Sequence, residues 1–289
     1  MLSVLIFGII NSMQFAILAV GFSLILSIAG VANFAYGSLY LFGGFIVWLL
    51  SYKLGFPYWG SVGISAVVIF MVSILIYRYG IRRVRGATLS EVIVTMGIGL
   101  FITEMIRASG LLGVDDYIQP FVHGYINIMG NGMEIQRLLI VPIGIVLFLA
   151  LWIVTKFTKM GLAFRAISQD ELTALSIGLS SDRLGMMAMG ISSILALFAA
   201  LCILPQGQFL PDSAYDILVY ALAISVLGGL GSTPGIIVGA LILGFTQTLT
   251  ATYINQQWTI VATFLIIVLV LLVRPSGIFG QQKQLEERV

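Results

Sequence analysis

Residues 30–44 read GVANFAYGSLYLFGG, and they interrupt a chain that otherwise consists largely of long apolar runs. Inside a bilayer, each backbone N–H and C=O must find its partner within the protein, because lipid offers none. A break in a helix at such depth is tolerated where it packs on other helices or lines a wet cavity. We therefore interpret this stretch as the border of a transport path. Its candidate path or gate residues are Asn33, Phe34, Tyr36, Gly37 and Ser38.

The composition of the chain indicates a membrane protein. Sixty per cent of its residues are hydrophobic and 9% are charged, against about 25% charged residues in a soluble domain. The apolar runs do not alternate with polar residues, which argues against a transmembrane β-barrel. The net charge of +2 gives no indication of nucleic-acid binding. The single cysteine, Cys202, cannot form an internal disulfide and is interpreted as a small buried apolar residue.

Nine apolar runs predict an all-α, polytopic integral membrane bundle of about 8–9 spans, formed by residues 1–289 as one domain. The runs are 2–29, 34–51, 57–77, 88–110, 138–155, 185–205, 215–229, 233–252 and 258–273. No basic residue precedes the first run, so we expect a retained span rather than a cleaved signal. The run 215–229 is short and a Gly-rich turn follows it, so one member of the pair 215–252 is a candidate re-entrant segment.

The Lys and Arg residues predict the orientation. They cluster at 78–85, 156–183 and 274–288, whereas Lys53, Arg107 and Arg137 remain for the other side. Because basic residues concentrate on the cytoplasmic side, the N-terminus is predicted outside and the C-terminus in the cytoplasm. This places the start of residues 30–44 at the cytoplasmic side, as an inner gate.

A second break lies in the apolar pattern at residues 228–235. Pro234 lacks an N–H and glycine permits positive φ, so a continuous helix through this stretch is not expected. Two interpretations stay open for these residues, a path or gate and close helix packing through small side chains. They are Gly228, Gly229, Gly231, Ser232, Pro234 and Gly235.

The remaining charged residues have predictions of their own. Glu104 and Arg107 are three residues apart and are expected to pair on one helix face. Glu91 is a candidate partner for an arginine of the 78–85 cluster. The outer loop 110–137, with Asp115, Asp116 and His123, is predicted to be a short interfacial helix or part of an extracytoplasmic docking face. The residues Gln206, Gln208, Asp212 and Asp216 are expected in an exposed, solvated loop, with a docking role as the alternative. A lone histidine cannot form a multi-histidine metal site, so we predict no metal and no cofactor.

The cytoplasmic loop 156–184 is predicted to be helical in two pieces. Asp170 is placed to cap the second piece, and Gly178 is placed to end it in a left-handed conformation. The second piece carries Leu172, Leu175 and Ile177 outside the membrane. An apolar strip in that position is covered either by the bundle itself or by a docked partner.

Five stretches resemble one family. Residues Glu171–Ala174 with Gly178 are similar to the EAA-x-x-x-G loop of ABC importer permeases. That loop, together with GLAFRA at 161–166, resembles the branched-chain amino acid ABC permease family. Further similarity lies in GFSLILSIAGVANFAYG at 21–37, LGGLGSTPGIIVGALILG at 227–244 and RPSGIFG at 274–280. The chain departs from the family pattern at Tyr36, where a histidine is usual, at Ser38, where an acidic residue is frequent, and at Leu172, where an alanine is usual.

The resemblance implies a permease subunit of an ATP-driven importer for branched-chain amino acids or related small organic solutes, in the bacterial inner membrane. It implies ATPase coupling through Arg165, Asp170, Glu171, Ala174 and Gly178. The implied partners are a second permease subunit, related or identical, two cytoplasmic ATPase subunits and an extracytoplasmic solute-binding protein. The chain has no G-x-x-x-x-G-K-[ST] loop of its own for ATP.

Two other classes were weighed against the sequence. An ion-coupled secondary transporter or channel usually needs ionisable or carbonyl ion sites near the midplane, and the central runs are nearly free of charge. An intramembrane enzyme is disfavoured, because the sequence has no H-E-x-x-H motif, plausible Ser–His pair or paired membrane aspartates. The transporter alternative is distinguished by transport without ATPase subunits.

Overall fold

The fold was analysed in a computed structural model that describes residues 2–112, 117, 118, 120, 122, 124–128, 131–207, 209–229 and 231–280, with the backbone alone at 2, 127, 128 and 131. The described chain is a helical bundle with one short hairpin. Its first helices are α1 (Leu2–Ala29), α2 (Tyr36–Trp48), α3 (Tyr58–Ile76), α4 (Arg82–Val84) and α5 (Thr88–Ala108). The hairpin β1 (Tyr125–Ile128) and β2 (Asn131–Glu134) follows, and then α6 (Ile135–Phe157), α7 (Lys159–Gln169), α8 (Glu171–Ser176) and α9 (Ser181–Ile203). The chain continues through α10 (Ser213–Gly228), α11 (Thr233–Tyr253) and α12 (Thr259–Val273).

Each of the nine apolar runs overlaps one of the longer helices along most of its length, which confirms a polytopic all-α protein. Seven helical segments of the described chain are long and apolar enough to cross a membrane. The helices α2 and α10 are shorter, at 13 and 16 residues. A π-helical turn (Leu49–Lys53) extends α2, and another (Tyr77–Ile81) joins α3 to α4.

The core of the bundle is formed by α1, α2 and α9. Helix α1 packs against α6, α9, α10 and α11, and α2 packs against α3, α5, α9 and α10. Most of α2 is buried, so this short helix lies at the centre of the bundle. By contrast, only 11% of the residues in the apolar windows of α6 and α12 are buried, as expected of helices that face lipid or a partner.

The charged residues separate to the two ends of the bundle. Arg82 and Arg85 contact Asp182 at the start of α9, which puts the first two basic clusters together. We call this the basic end. At the opposite end Arg107 contacts Asp212. Of the sequence candidates, Asp115, Asp116, His123, Gln208, Lys283 and Arg288 lie outside the described residues.

Among the described residues of the loop 110–137, the structure shows an antiparallel hairpin and not the short interfacial helix. Tyr125 pairs with Glu134, and Ile126 pairs with Met133. The hairpin leads directly into α6, whose Gln136 side chain donates a hydrogen bond to the carbonyl of Leu201 near the end of α9.

Candidate translocation site

The first helix break leads from the basic end to the middle of the bundle. It begins at Gly30, whose φ of +70° ends α1, and α2 starts six residues later. The Tyr36 hydroxyl donates to the carbonyl of Leu18 at 2.8 Å, near the middle of the 28-residue α1. Helix α2 therefore begins deep in the bundle rather than at its surface, because the non-helical residues between the two helices occupy the intervening depth.

The first turns of α2 and α10 meet in the middle of the bundle. A β-carbon at Gly37 would overlap the backbone carbonyl of Ala214, so only glycine permits this crossing. Neither helix has a side-chain cap at its N-terminus. The first N–H groups of a helix lack intrahelical partners and carry partial positive charge. In α10 this charge is opposed by Asp212 at the N-cap and by Asp216 in the first turn, whereas the first turn of α2 has no acidic residue.

Polar and small side chains of α5 follow the first break through the bundle. Glu91, Thr95, Gly99, Thr103 and Arg107 recur at every fourth position, so that each lies one turn above the last. All of them except Arg107 are buried. This stripe is absent from the sequence predictions, although its spacing is visible in the run 88–110. The long apolar neighbours conceal it when hydrophobicity alone is considered.

The α5 stripe makes specific contacts with the first break. Thr95 Oγ1 accepts a hydrogen bond from the backbone N–H of Phe34 at 3.2 Å. Two turns further along α5, toward the Arg107 end, the hydroxyls of Ser38 and Thr103 are 3.0 Å apart. A β-carbon at Gly99 would lie 3.1 Å from Ser38 Oγ. The break and α5 therefore share one closely packed contact surface.

We call the buried residues Asn33, Ser38, Glu91, Thr95 and Thr103 the polar seam. The Asn33 side chain is fully buried, and its Oδ1 accepts from the backbone N–H of Ala35 at 3.1 Å. Its Nδ2 has no hydrogen-bond acceptor among the described residues. Buried polar groups in a membrane span are costly and mark functional positions.

An ionic cluster lies where the polar seam reaches the opposite end. Arg107 contacts Glu104 at 2.8 Å, which confirms the predicted pair, and Asp212 at 2.5 Å. These side chains are exposed, so the cluster lies at an open mouth of the seam rather than in the core. It joins the end of α5 to the start of α10.

At the basic end the seam opens into a polar pocket of about 520 Å³. Gly30, Glu91 and Glu171 line it together with Arg82 and Arg85. The predicted pairing of Glu91 with an arginine does not occur among the described ion pairs. Instead, its Oε1 accepts the N–H of Gly86 at 2.7 Å, because the positive φ of Gly86 (+92°) turns the chain back onto the first turn of α5.

Backbone packing occupies most of the second break. The N–H of Phe279 donates to the carbonyl of Gly228 at 3.0 Å. Gly229, at φ +99°, and Gly235 lie so close to Gly280 and Gly228, respectively, that a β-carbon would overlap the backbone. These contacts explain the glycines by close approach of the C-terminal segment and of α11.

The rest of the second break lies beside the end of α1. Ser232 caps α11 through its Oγ, and Pro234 occupies the first turn. A β-carbon at Gly231 would lie 3.2 Å from Ser27 Oγ. Gly231, Ser27 and Arg165 line a cavity of about 250 Å³ between α1, α6, α7 and α11. The structure thus brings Arg165 to the second break, separate from the polar seam.

The predicted helical pieces of the loop 156–184 are confirmed as α7 and α8. Asp170 Oδ1 accepts from two backbone N–H groups at the start of α8. At its end, Gly178 has φ +86°, and Leu179 N–H bonds to Ala174 C=O while Gly178 N–H bonds to Leu175 C=O. This is a Schellman motif. Ala174 is buried.

The apolar side chains of the α8 segment point away from the bundle. Leu172, Leu175 and Ile177 are 63%, 45% and 72% exposed. The Glu171 carboxylate instead contacts Arg85 at 2.8 Å. The segment therefore has an exposed apolar side and an ionic contact with the bundle.

The bundle, its buried polar seam and the exposed helical loop together define a polytopic membrane transport subunit. The sequence profile of the family described as "Branched-chain amino acid transport system / permease component" matches residues 4–273, and the chain belongs to this family. The chain is 27% identical to the high-affinity branched-chain amino acid transport system permease protein LivH of Escherichia coli, over 95% of this chain and 94% of that protein. It is 27% identical to BraD of Pseudomonas aeruginosa, which has the same description, over 96% and 95%.

Two further similarities concern a second permease protein and the fold. The chain is 26% identical to E. coli LivM, also described as a permease protein of the high-affinity branched-chain amino acid transport system, over 92% of this chain and 68% of that protein. A solved structure described as PsaBC from Streptococcus pneumoniae in complex with Fab has a TM-score of 0.54 and 13% identity, and covers 94% of this chain and 92% of that one. At this identity the likeness is one of fold.

Proposed function

We propose that this chain is the membrane-spanning subunit of an ATP-driven importer of amino acids, branched-chain or related small organic solutes. The observation that carries the proposal is the exposed apolar side of α8 at the basic end, on a helix capped at both termini. Such a surface outside the membrane needs a partner, and the family resemblance identifies that partner as an ATPase subunit. Two ATPase subunits, a second permease subunit and an extracytoplasmic binding protein complete the transporter.

The orientation follows from the charges at the two ends. With the basic end in the cytoplasm, α8 faces the ATPases and the Arg107–Asp212 cluster faces the binding protein. If α2 and α10 cross together with the seven longer helices, the chain has nine spans, an external N-terminus and a cytoplasmic C-terminus. The family resemblance supports a bacterial inner membrane as the location of this arrangement.

The polar seam is the proposed path within the chain. It connects the ionic cluster at the opposite end with the pocket at the basic end, and it contains Asn33 and Ser38 as predicted. The first turn of α2 has no side-chain cap, so its N–H groups can donate hydrogen bonds to a solute beside the seam. Phe34, Tyr36 and Gly37 hold the seam in place rather than supply its polar groups.

A second related permease is the proposed companion in the membrane. E. coli LivH and LivM, two permease proteins described for one transport system, both match this chain over at least 92% of its length. The companion is therefore a related chain or a second copy of this one. The exposed faces of α5, α10 and α12 are available for the contact.

Reconstitution into proteoliposomes tests the function. Uptake of radiolabelled leucine, isoleucine and valine is measured with the ATPases, companion permease and binding protein present, and again after the ATPases are left out. We expect uptake to require the ATPases and ATP. Uptake by this chain without ATPases, driven by an ion gradient, would establish the secondary-transporter alternative.

A variant pair tests the docking surface itself. Leu172→Asp places a charge on the exposed apolar side of α8 and should abolish co-purification of the ATPase. Leu210→Asp is the matched control, because Leu210 is also exposed but lies at the opposite end. Equal ATPase binding by both variants would exclude α8 as the docking surface.

A further inference from the structure

The α8 helix is joined to α5 through a short loop. Arg85 Nη2 donates to Glu171 Oε1 at 2.8 Å. The next residue in the chain, Gly86, donates its N–H to Glu91 Oε1 at 2.7 Å. The Arg85 side chain is only 18% exposed, so its position is fixed by packing, whereas the Glu171 side chain is 45% exposed. The coupling helix is thereby connected to the first turn of α5.

The connection continues along α5 to the first break. Thr95 Oγ1 donates to the carbonyl of Glu91 at 2.8 Å, one helical turn away. The same oxygen accepts the backbone N–H of Phe34 at 3.2 Å. Thr95 is fully buried, and α5 is regular between these residues. A displacement of residues 85–87, which join α4 to α5, can therefore reach the non-helical residues of the first break, because no flexible segment lies between them.

Two other contacts converge on the same loop. Asp182, at the start of α9, contacts Arg82 at 2.7 Å and Arg85 at 3.6 Å. Gly30, where the first break begins, lines the same polar pocket as Glu171 and Glu91. The Arg85 guanidinium thus lies between α8, α9 and the start of the break.

We propose that Arg85 and Thr95 are positioning residues that transmit the displacement of α8 to the first helix break. This inference rests on the proposed function, in which the ATPases move α8. Closure of the ATPases shifts Glu171, Arg85 follows its carboxylate, and α5 carries the shift to Phe34 and Asn33. The ion pair therefore couples ATP hydrolysis to the gate, while the exposed side of α8 holds the ATPase.

The test measures ATP hydrolysis and uptake in the same proteoliposomes, with all subunits present. Arg85→Gln and Glu171→Gln should each lower uptake per ATP hydrolysed by about tenfold, within the range typical of coupling between sites, while the ATPase stays bound. In the double variant the loss should equal that of Arg85→Gln alone, because residues acting through one contact are not additive. Arg83→Gln is the matched control, since Arg83 is exposed in the same segment and forms none of the ion pairs among the described residues.

Thr95 tests the second half of the connection. Thr95→Val has nearly the same shape and removes the hydroxyl, so uptake per ATP should fall as in Arg85→Gln. Thr95→Ser keeps the hydroxyl and should retain coupling. If both variants lose coupling equally, or if neither does, the hydroxyl does not transmit the displacement.

The outcomes separate this inference from the proposed function. ATP-dependent uptake by the unaltered complex, with normal uptake per ATP in Arg85→Gln, overturns the inference alone. Uptake by the unaltered chain without ATPases overturns the proposed function. Loss of ATPase binding in Arg85→Gln would also overturn the inference, because the ion pair would then serve docking.

Discussion

Replacement of Gly37 by alanine tests the crossing of α2 and α10. The new methyl group would overlap the carbonyl oxygen of Ala214 and lie 3.2 Å from Cβ of Leu218. Alanine in place of glycine within a helix gains about 1 kcal/mol, whereas overpacking of a closely packed site costs about 1–3 kcal/mol. The carbonyl of Ala214 belongs to the backbone and cannot move aside as a side chain would, so the overpacking cost should exceed the helical gain. We expect net destabilisation together with loss of uptake.

Gly97→Ala is the matched control for this prediction. Gly97 lies within α5, and a β-carbon there would meet no atom within 4 Å. Only the helical gain applies, so the two variants should differ by the overpacking cost of about 1–3 kcal/mol. Thermal unfolding in detergent, monitored by the amount of protein that stays monodisperse, measures the difference, because the unfolding midpoint shifts by about 2–4 °C per kcal/mol. Equal midpoints and equal uptake for both variants would refute the close crossing.

Three further perturbations address the seam and its ends. Ser38→Ala should destabilise the protein by about 1–3 kcal/mol, because it leaves the Thr103 hydroxyl buried without its partner. The double variant Ser38→Ala with Thr103→Val should lose less stability than the two single variants added together. Additive losses in thermal unfolding would contradict the contact. Arg107→Ala should change the free energy of unfolding by only about 0–1 kcal/mol, since the pair with Asp212 is exposed, but it should raise the KM of uptake. An unchanged KM would show that the cluster does not form the entrance of the path. Tyr36→Phe should cost about 0.5–1.5 kcal/mol by removing one hydrogen bond, and an unchanged unfolding midpoint would contradict the contact with the backbone of α1.

The features predicted correctly from the sequence are those determined by local chemistry. The positions of the long helices follow from the apolar runs, because a bilayer requires helices of about 20 residues. The bounds of α8 follow from Asp170 and Gly178, whose capping interactions lie within a few residues of each other. The Glu104–Arg107 pair follows from helical spacing. None of these depends on how distant segments meet.

The features that were missed depend on distant contacts. The depth at which α2 begins is determined by Tyr36 and Leu18, 18 residues apart. The contact between Arg85 and Glu171 joins residues separated by 86 positions. Glu91 was expected to pair with an arginine because of its charge, but the turn at Gly86 presents a backbone donor at shorter range. Which partner a charged side chain contacts depends on the tertiary structure, which the spacing of residues in the sequence does not define.

The two helix breaks found in the sequence have different physical explanations. The glycines of the second break permit contact between backbone segments, and Gly229 and Gly280 illustrate this. The first break instead places Asn33 and Ser38 among polar groups of α5. A path needs groups that can exchange hydrogen bonds with a solute, and close backbone packing offers none. Substitutions that add volume at the second break should therefore affect folding before they affect selectivity.

Tyr36 and Ser38, where related permeases are expected to carry a histidine and an acidic residue, give the proposed path its electrostatic character. Both hydroxyls are held in buried hydrogen bonds, to Leu18 and Thr103, so neither position supplies a fixed charge. Between Glu91 and Arg107 the seam then offers hydroxyl and amide groups without net charge. The ammonium and carboxylate groups of an amino acid are each costly to desolvate, and the hydroxyl and amide groups of the seam can hydrogen-bond to both without a fixed charge that would favour one over the other. Ser38→Glu should therefore lower amino acid uptake, and unchanged uptake kinetics in this variant would place the path elsewhere.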